Sequence, residues 1–183
     1  MLKTRLPIDN LWKRHTGLTI ETSQFYTQAA RVCLDRHHCS PVDFAIDDDG
    51  KQVETFAEWT PTDEHTKRAW ANEIDTTENG AYACVLAAIE VCRQMVAVHR
   101  AETMTGADYY VAPAGYSGDD LEACFRLEIS GTDREPVSGV RRRLKDKAEQ
   151  ADKGHSNLPA IAGVIGFKAR LIMLKAVLKH ELA

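Results

Sequence analysis

The feature that most constrains this fold is the apolar run AYACVLAAIEVC at residues 81–92. It follows Asp75, Thr76 and Thr77, which together with Glu78 have the pattern of a helix N-terminus. A helix on a protein surface keeps one polar face, whereas this helix would be apolar on nearly every side. We therefore predict a buried helix with other elements packed around it.

The residues after this helix predict three strands. MVAVHRAE at 95–102 alternates apolar and polar residues, and DYYVAP at 108–113 is rich in β-forming residues. ACFRLEIS at 123–130 is predicted as a third strand. A turn at Thr105-Gly106 separates the first two.

The last part of the chain predicts a helix, a strand and a second helix. The first helix starts near Pro136 and Ser138 and ends at Gly154, and LPAIAGVIGF at 158–167 is predicted as a buried strand. The tail 168–182 is rich in strong helix formers, with leucines at a helical spacing. The predicted order of the core is therefore α-β-β-β-α-β-α.

The N-terminal part predicts a smaller unit, with a turn at Asp49-Gly50 between two alternating segments. We expect residues 1–74 to form an extension packed on an α/β core at 75–183. The predicted elements of this extension are an amphipathic helix at 23–38, hairpin strands at 42–46 and 53–59, and a polar link at 60–74.

Composition is that of a globular protein. At 183 residues, 44% hydrophobic and 27% charged, the chain suits one domain with a small extension. No run approaches the roughly 20 apolar residues of a membrane helix, and the first residues lack the pattern of a signal peptide. Five cysteines without a CxxC spacing are typical of reduced thiols. These features predict a cytoplasmic protein with no membrane contact.

Charge is unevenly distributed along the chain. From Arg134 onward there are eleven Lys and Arg against five Asp and Glu, although the whole chain carries a formal charge of −4. A basic C-terminal third on an acidic protein either binds a polyanion locally or forms the solvated face of a helix. The sequence leaves both interpretations open.

Two acidic residues are the strongest candidates for chemistry. Asp108 begins the second predicted strand and Glu128 lies near the end of the third, so an antiparallel pairing brings them together. Glu128 stands between Leu127 and Ile129, where burial of an unpaired carboxylate costs several kcal/mol. A hard cation such as Mg²⁺ would hold such a pair, because it takes oxygen ligands from one or two carboxylates. The alternative is that both side chains reach solvent at strand ends.

The string TGADYY, followed by a loop and FRLEIS, resembles the PD-(D/E)xK nuclease superfamily. The resemblance covers about residues 75–167 and implies an α/β fold: an αβββαβ(α) restriction-endonuclease-like core with an N-terminal helix and β-hairpin extension. The superfamily binds metal through the acidic residues of a GxD-type element and of (D/E)xK, which implies Asp108 and Glu128 here. Glu78, early in the first helix, is the implied third ligand, and Mg²⁺ or Mn²⁺ is the implied cofactor.

The chain departs from this motif at Ser130, which stands where (D/E)xK has lysine. Members of the superfamily sometimes carry the basic residue on the following helix, which here offers Lys145 and Lys147, and Arg126 shares a strand face with Glu128. The implied catalytic residues are Asp108, Glu128, Lys145 and Arg126. The basic run of the helix implies a nucleic-acid-binding surface, or an exposed helix face, made of Arg141, Arg142, Arg143, Lys145 and Lys147.

The resemblance implies a metal-dependent nuclease, a hydrolase that cleaves phosphodiester bonds of DNA or RNA, by analogy in a bacterial defence or toxin system. The stretch from TENGAYACVLAAIE to NLPAIAGVIGF also resembles a family of uncharacterised bacterial proteins. Because Ser130 replaces the motif lysine, the alternative is a catalytically inactive nuclease-fold subunit that binds or scaffolds a larger complex. A third expectation is a protein partner, or a second copy of the chain, bound through the N-terminal hairpin.

Overall fold

The computed structural model describes residues 3–116, 120–154 and 156–177. Within these residues the chain forms eight β-strands and four α-helices. The helices are α1 (Ile20–His37), α2 (Glu64–Ala69), α3 (Glu73–Arg93) and α4 (Val137–Lys153). The strands are β1 (Thr4–Arg5), β2 (Val42–Asp48), β3 (Lys51–Ala57), β4 (Met95–Arg100), β5 (Tyr109–Pro113), β6 (Phe125–Thr132), β7 (Ala160–Gly166) and β8 (Leu171–Val177).

These strands form one mixed sheet in the order β1-β3-β2-β8-β7-β6-β5-β4. The hairpin β2–β3 joins the sheet because residues 45–48 of β2 pair in parallel with residues 171–174 of β8. Towards the other edge, β4, β5 and β6 form an antiparallel meander, and β6 pairs in parallel with β7. The class is α/β, and the predicted hairpin continues the same sheet as the core.

Helix α3 lies between the sheet and α1, which explains why nearly every side of it is apolar. On one side it shares a hydrophobic core with Leu127 and Ile129 of β6. On the other side Gly80 lets α1 approach, since a Cβ there would lie 3.0 Å from the backbone of Ala30. Helix α4 covers the opposite face of the sheet, where Val140 packs with residues of β7 and β8. No described helix, α3 included, has the length and apolarity needed to cross a membrane.

The helix predicted for the tail is wrong, because residues 171–177 form strand β8. This strand lies between β7 and β2 and hydrogen-bonds to both. Pairing on two sides overrides the helix preference of Leu, Lys and Ala, which amounts to less than about 1 kcal/mol per residue. A turn at 167–170, with Arg170 at φ 54°, returns the chain from β7 to β8. Leu178, part of the predicted helical pattern, lies outside the described residues.

The segment 60–74, predicted as a polar link, is more ordered than expected. It contains α2, and α3 already begins at Glu73, where the Asn72 side chain accepts hydrogen bonds from the first turn. Asp35 of α1 accepts hydrogen bonds from both the backbone N–H and the hydroxyl of Thr62, each at 2.6 Å. These bonds fix the segment against α1.

Candidate active site

Strand β5 pairs only with residues 125–127 of β6, so the rest of this edge of β6 has no strand partner on that side among the described residues. Tyr109, the first residue of β5, pairs with Leu127, and the pairing ends there. Asp108, the residue before β5, accepts a hydrogen bond at Oδ2 from the Ile129 N–H at 2.7 Å and so satisfies a donor of the open edge. This register places Asp108 opposite Glu128.

The other oxygen of Asp108 is held from helix α3. The Tyr82 hydroxyl donates to Asp108 Oδ1 at 2.6 Å, and Nη2 of Arg100 lies 3.6 Å from the same oxygen. Burial, followed by the charge of Asp108, raises the pKa of Tyr82, so the phenol stays protonated and continues to donate. Asp108 is therefore fixed in orientation, while each of its oxygens keeps a further lone pair.

Glu128 is 5% exposed and lies on the sheet face that α4 covers. Lys147 of α4 donates from Nζ to Glu128 Oε1 at 2.7 Å and to the Gln150 side chain at 3.1 Å. Burial raises the pKa of Glu128; the hydrogen bond from Lys147 opposes this rise, and the charge of Asp108 adds to it. Glu128 is thus a buried acid with one cation on one oxygen.

Asp108 and Glu128 both line an open cleft of about 760 Å³, between the loop 101–108 and the C-terminal half of α4. We call it the carboxylate cleft. Acidic groups outnumber basic groups in its lining, so it favours a cation and disfavours a polyanion that arrives without one. The charged lining residues are Arg100, Glu102, Asp108, Glu128, Asp146, Glu149 and Lys153.

Two carboxylates fit the way Mg²⁺ is commonly held, by one or two protein carboxylates together with water and phosphate. Within the described residues Glu128 Oε2 accepts no hydrogen bond, so this oxygen remains available to a cation. The predicted third ligand lies elsewhere, since Glu78 is exposed and lines a separate cavity with Arg143. Tyr82, one helical turn after Glu78, is the α3 residue that contacts Asp108. The described parts of the chain contain no group of three His, Cys, Asp or Glu residues able to hold a metal ion.

Arg126, predicted as a catalytic candidate, has a structural role. Its side chain is fully buried, and its guanidinium donates to the carbonyl oxygens of Thr105, Ala151 and Leu158 at 2.8, 2.9 and 3.0 Å. These bonds join the turn 103–106, the end of α4 and the segment before β7. Arg126 therefore fixes a wall of the carboxylate cleft rather than reacting within it.

Helix α4 supplies basic groups to the strand that lacks the motif lysine. Ser130, at the motif position, accepts a hydrogen bond from Arg143 at 3.3 Å, and one helical turn later Lys147 reaches Glu128. Ser130 and Glu128 are two residues apart and share one face of β6. Arg143 and Lys147 are four residues apart and share one face of α4, and these two faces contact each other. Of the basic residues predicted on α4, Lys147 is the one that contacts Glu128.

Three of the basic residues predicted on α4 form no ion pair with Asp108 or Glu128 within the described part of the chain. Lys145, predicted as catalytic, is exposed, with Glu149 at 3.9 Å as an ion-pair partner. Arg142 pairs with Glu135 at 3.1 Å, and Arg141 is exposed. These three form a solvated helix face that could meet a phosphate backbone only from outside the cleft.

Sequence reasoning did not find Tyr82 or Arg100. Arg100, the last residue of β4, pairs with Tyr109, and its guanidinium carbon lies 5.0 Å and 4.8 Å from the ring centres of Tyr82 and Tyr109. A signal existed for Tyr82, which lies four residues after Glu78 and so on the same helix face. No comparable signal existed for Arg100, because an irregularity in β4 changes the register just before it.

Comparison of the chain with protein-family models, with curated proteins and with solved structures gave no match. The functional argument therefore depends on the geometry of the carboxylate cleft and on the order of the elements that form it.

Proposed function

We propose that this protein is a metal-dependent, nuclease-like hydrolase that cleaves phosphodiester bonds of nucleic acid in the carboxylate cleft. The observation that carries the proposal is Lys147 Nζ at 2.7 Å from Oε1 of Glu128, which lines the cleft together with Asp108. A carboxylate pair with an ammonium group on one member is the set of groups that a (D/E)xK motif supplies. Here the lysine comes from the helix instead of the strand.

The order of elements around the cleft supports the same proposal. Helix α3, strands β4, β5 and β6, helix α4 and strand β7 follow one another as αβββαβ. The first three strands are antiparallel and β7 is parallel to β6. We infer a restriction-endonuclease-like core, with Asp108 at its second strand and Glu128 in its third.

The side chains of the cleft have distinct roles in this proposal. Asp108 and Glu128 would hold Mg²⁺ or Mn²⁺, which when bound stabilises charge on the phosphate and lowers the pKa of a water. Tyr82 keeps Asp108 in one orientation. Lys147 orients Glu128 and places an ammonium group where developing negative charge is stabilised. A cation beside Glu128 would also offset the burial that raises the pKa of this carboxyl group.

The proposal is tested by incubating the purified protein with DNA and RNA, single- and double-stranded, in Mg²⁺ or Mn²⁺. We expect cleavage that chelation abolishes and that falls about a hundredfold or more in Asp108→Asn and Glu128→Gln, because each loses a charged metal ligand. Glu54→Gln, at an exposed position of β3, is the matched control and should cleave normally. Intact substrates with both metals, or unchanged cleavage in both variants, would refute the proposal.

A second candidate function is a catalytically inactive nuclease-fold subunit that binds nucleic acid or a protein partner. It is favoured by Ser130 at the motif position and by the separation of Glu78 from the carboxylate cleft. Such a subunit should bind nucleic acid in a salt-sensitive way without cutting it. Joint replacement of Arg141 and Arg142 by Gln should then abolish binding, whereas an enzyme acting in the cleft should retain cleavage.

A further inference from the structure

Arg100 lines the carboxylate cleft and is held there by two aromatic rings. Its guanidinium carbon lies 5.0 Å from the ring centre of Tyr82 and 4.8 Å from that of Tyr109. Its Nη2 also donates to the Tyr82 hydroxyl at 3.2 Å. Guanidinium groups are attracted to aromatic faces at such distances. Arg100 is therefore positioned before any ligand binds.

The two tyrosines are themselves fixed by helix α1. Tyr26 stacks on Tyr82, with ring centres 4.7 Å apart and planes inclined by 17°. Its hydroxyl lies 3.0 Å from the hydroxyl of Tyr109, and both Tyr26 and Tyr109 are buried. Tyr26 therefore restricts the two side chains that hold Arg100. A binding group needs such support to keep its geometry.

The ion pair between Arg100 and Asp108 is long and leaves Arg100 partly exposed. Its Nη2 lies 3.6 Å from Asp108 Oδ1, which is beyond hydrogen-bond distance, and half of its side chain is exposed. Asp108 already accepts hydrogen bonds from Tyr82 and from the Ile129 N–H. Part of the guanidinium thus remains available in the cleft, and its planar fork matches two oxygens of a phosphate.

We propose that Arg100 binds a phosphate group of the nucleic-acid substrate and holds it against Asp108 and Glu128. Lys153 of α4, which also lines the cleft, supplies a second positive charge to this subsite. The inference rests on the proposed function and explains how a polyanion enters an acidic cleft. Because the other acidic groups of the lining repel phosphate, a fixed cation beside the carboxylate pair determines where the backbone lies.

The test measures the fluorescence anisotropy of a short fluorescein-labelled DNA oligonucleotide, and of RNA of the same sequence, with the full chain in Ca²⁺, which takes oxygen ligands as Mg²⁺ does. A gel confirms that the labelled strand is intact after each titration. Arg100→Gln should weaken binding about tenfold or more, because charge-assisted hydrogen bonds to phosphate are lost. It should also reduce the slope of log Kd against log salt concentration by about one. Arg100→Lys should keep the slope but bind less tightly than the natural protein, since an ammonium group lacks the planar fork.

Arg68→Gln is the matched control, because it removes the same charge from an exposed position of α2 that does not line the cleft. The control should bind as the natural protein does. The inference is overturned by equal affinities of Arg100→Gln and the natural protein, by an equal loss in Arg68→Gln, or by absence of binding. If thermal melting shows that Arg100→Gln is unfolded, Arg100→Lys decides, and natural affinity in that variant overturns the inference.

Failure of the proposed function is recognised separately, from cleavage. Binding that depends on Arg100 without any cleavage would refute the enzyme and leave the phosphate subsite standing. Cleavage that depends on Asp108 but shows an unchanged KM in Arg100→Gln would refute the subsite alone.

Discussion

Basic groups contact two glutamates of this protein, yet the pKa of one glutamate is lowered and that of the other is raised. Glu90 of α3 lies 2.7 Å from Nε of Arg14 and 3.2 Å from Nε2 of His15. Burial alone would raise the pKa of Glu90, but the hydrogen bonds from His15 and Arg14 outweigh burial and lower it. Glu128 of β6 has a hydrogen bond from Lys147, and burial still raises its pKa. The basic groups thus compensate fully for the burial of Glu90 but not for that of Glu128. We call Glu90 the compensated acid and Glu128 the under-compensated acid.

The compensated acid, Glu90, belongs to a group of residues that covers an edge of the sheet. His15, fully buried beside Glu90, accepts the N–H of Ala97 at Nδ1 at 2.9 Å. The N–H of Gly17 then donates to the carbonyl of Ala97 at 2.9 Å, so the edge strand β4 is covered. An uncovered edge strand is a template for unwanted pairing. The Glu90 group therefore has a structural purpose.

The under-compensated acid faces an open cleft instead. Glu128 covers no sheet edge, and it lines the cleft that Asp108 also lines. A buried acid whose pKa is raised beside solvent marks a place where a ligand can supply the missing charge. The difference between the two glutamates thus separates a group that stabilises the fold from a group available for chemistry.

The largest expected effect comes from removing the cation on the under-compensated acid. Lys147→Met should lower the cleavage rate about a hundredfold or more, because a charged group beside the reacting centre is lost. The rate is measured by gel assay, with melting temperature as the control for folding. Lys145→Met, on the exposed face of the same helix, is the matched control and should cleave normally.

Moving the lysine back to the strand should recover part of this loss. Ser130→Lys in the Lys147→Met background places an ammonium group on the same strand face as Glu128, two residues away. We expect about a tenfold gain in rate over Lys147→Met alone. A double variant as slow as Lys147→Met would contradict the view that Lys147 replaces the motif lysine.

The compensated acid should matter for stability rather than for cleavage. Glu90→Gln should lower the free energy of unfolding by about 1–2 kcal/mol at neutral pH, because hydrogen bonds to charged groups are weakened at a partly exposed site. A lowered folded-state pKa contributes stability that is present above the unfolded pKa and lost as pH falls through the folded value. The gap between the two proteins in denaturant titrations should therefore close in acid.

The smallest expected effect has the opposite sign. Glu128→Gln should raise the free energy of unfolding by up to about 1 kcal/mol at neutral pH, since it removes a buried charge. A raised folded-state pKa contributes stability that is present below the unfolded pKa and lost as pH rises through the folded value. The advantage of Gln should therefore grow with pH, as urea titrations can show. A destabilised Glu128→Gln at neutral pH would remove the distinction between the two acids.

The sequence predicted those elements whose own residues form an apolar run or alternate between apolar and polar. Helix α3, the hairpin and the four strands β4 to β7 all carry such patterns and are present. Strand β8 was missed because its partners, β2 and β7, determine its conformation, and β2 lies more than a hundred residues earlier. Local preference carries no information about a partner so far along the chain.

The site was predictable only in part, for a related reason. Asp108 and Glu128 could be paired because strand register relates one position to its neighbour. The direction of a side chain on a helix is harder to predict. Successive side chains are rotated by about 100° around the helix axis, so residues two apart lie on different faces. The choice between Lys145 and Lys147 depends on how α4 is rotated against the sheet. Glu78 and Tyr82 share a helix face, so the choice between them depends on where α3 lies along its own axis relative to Asp108.

The parallel pairing of β2 with β8 has a consequence for synthesis of the chain. Strand β2 is made early, but residues 171–177 leave the ribosome last among the described strands. Until β8 is made, β2 lacks its partner strand on one side, and the hairpin cannot join the rest of the sheet. Contacts so distant in sequence slow folding and expose strand edges to aggregation. A nascent chain of this protein therefore carries an incomplete sheet until β8 emerges.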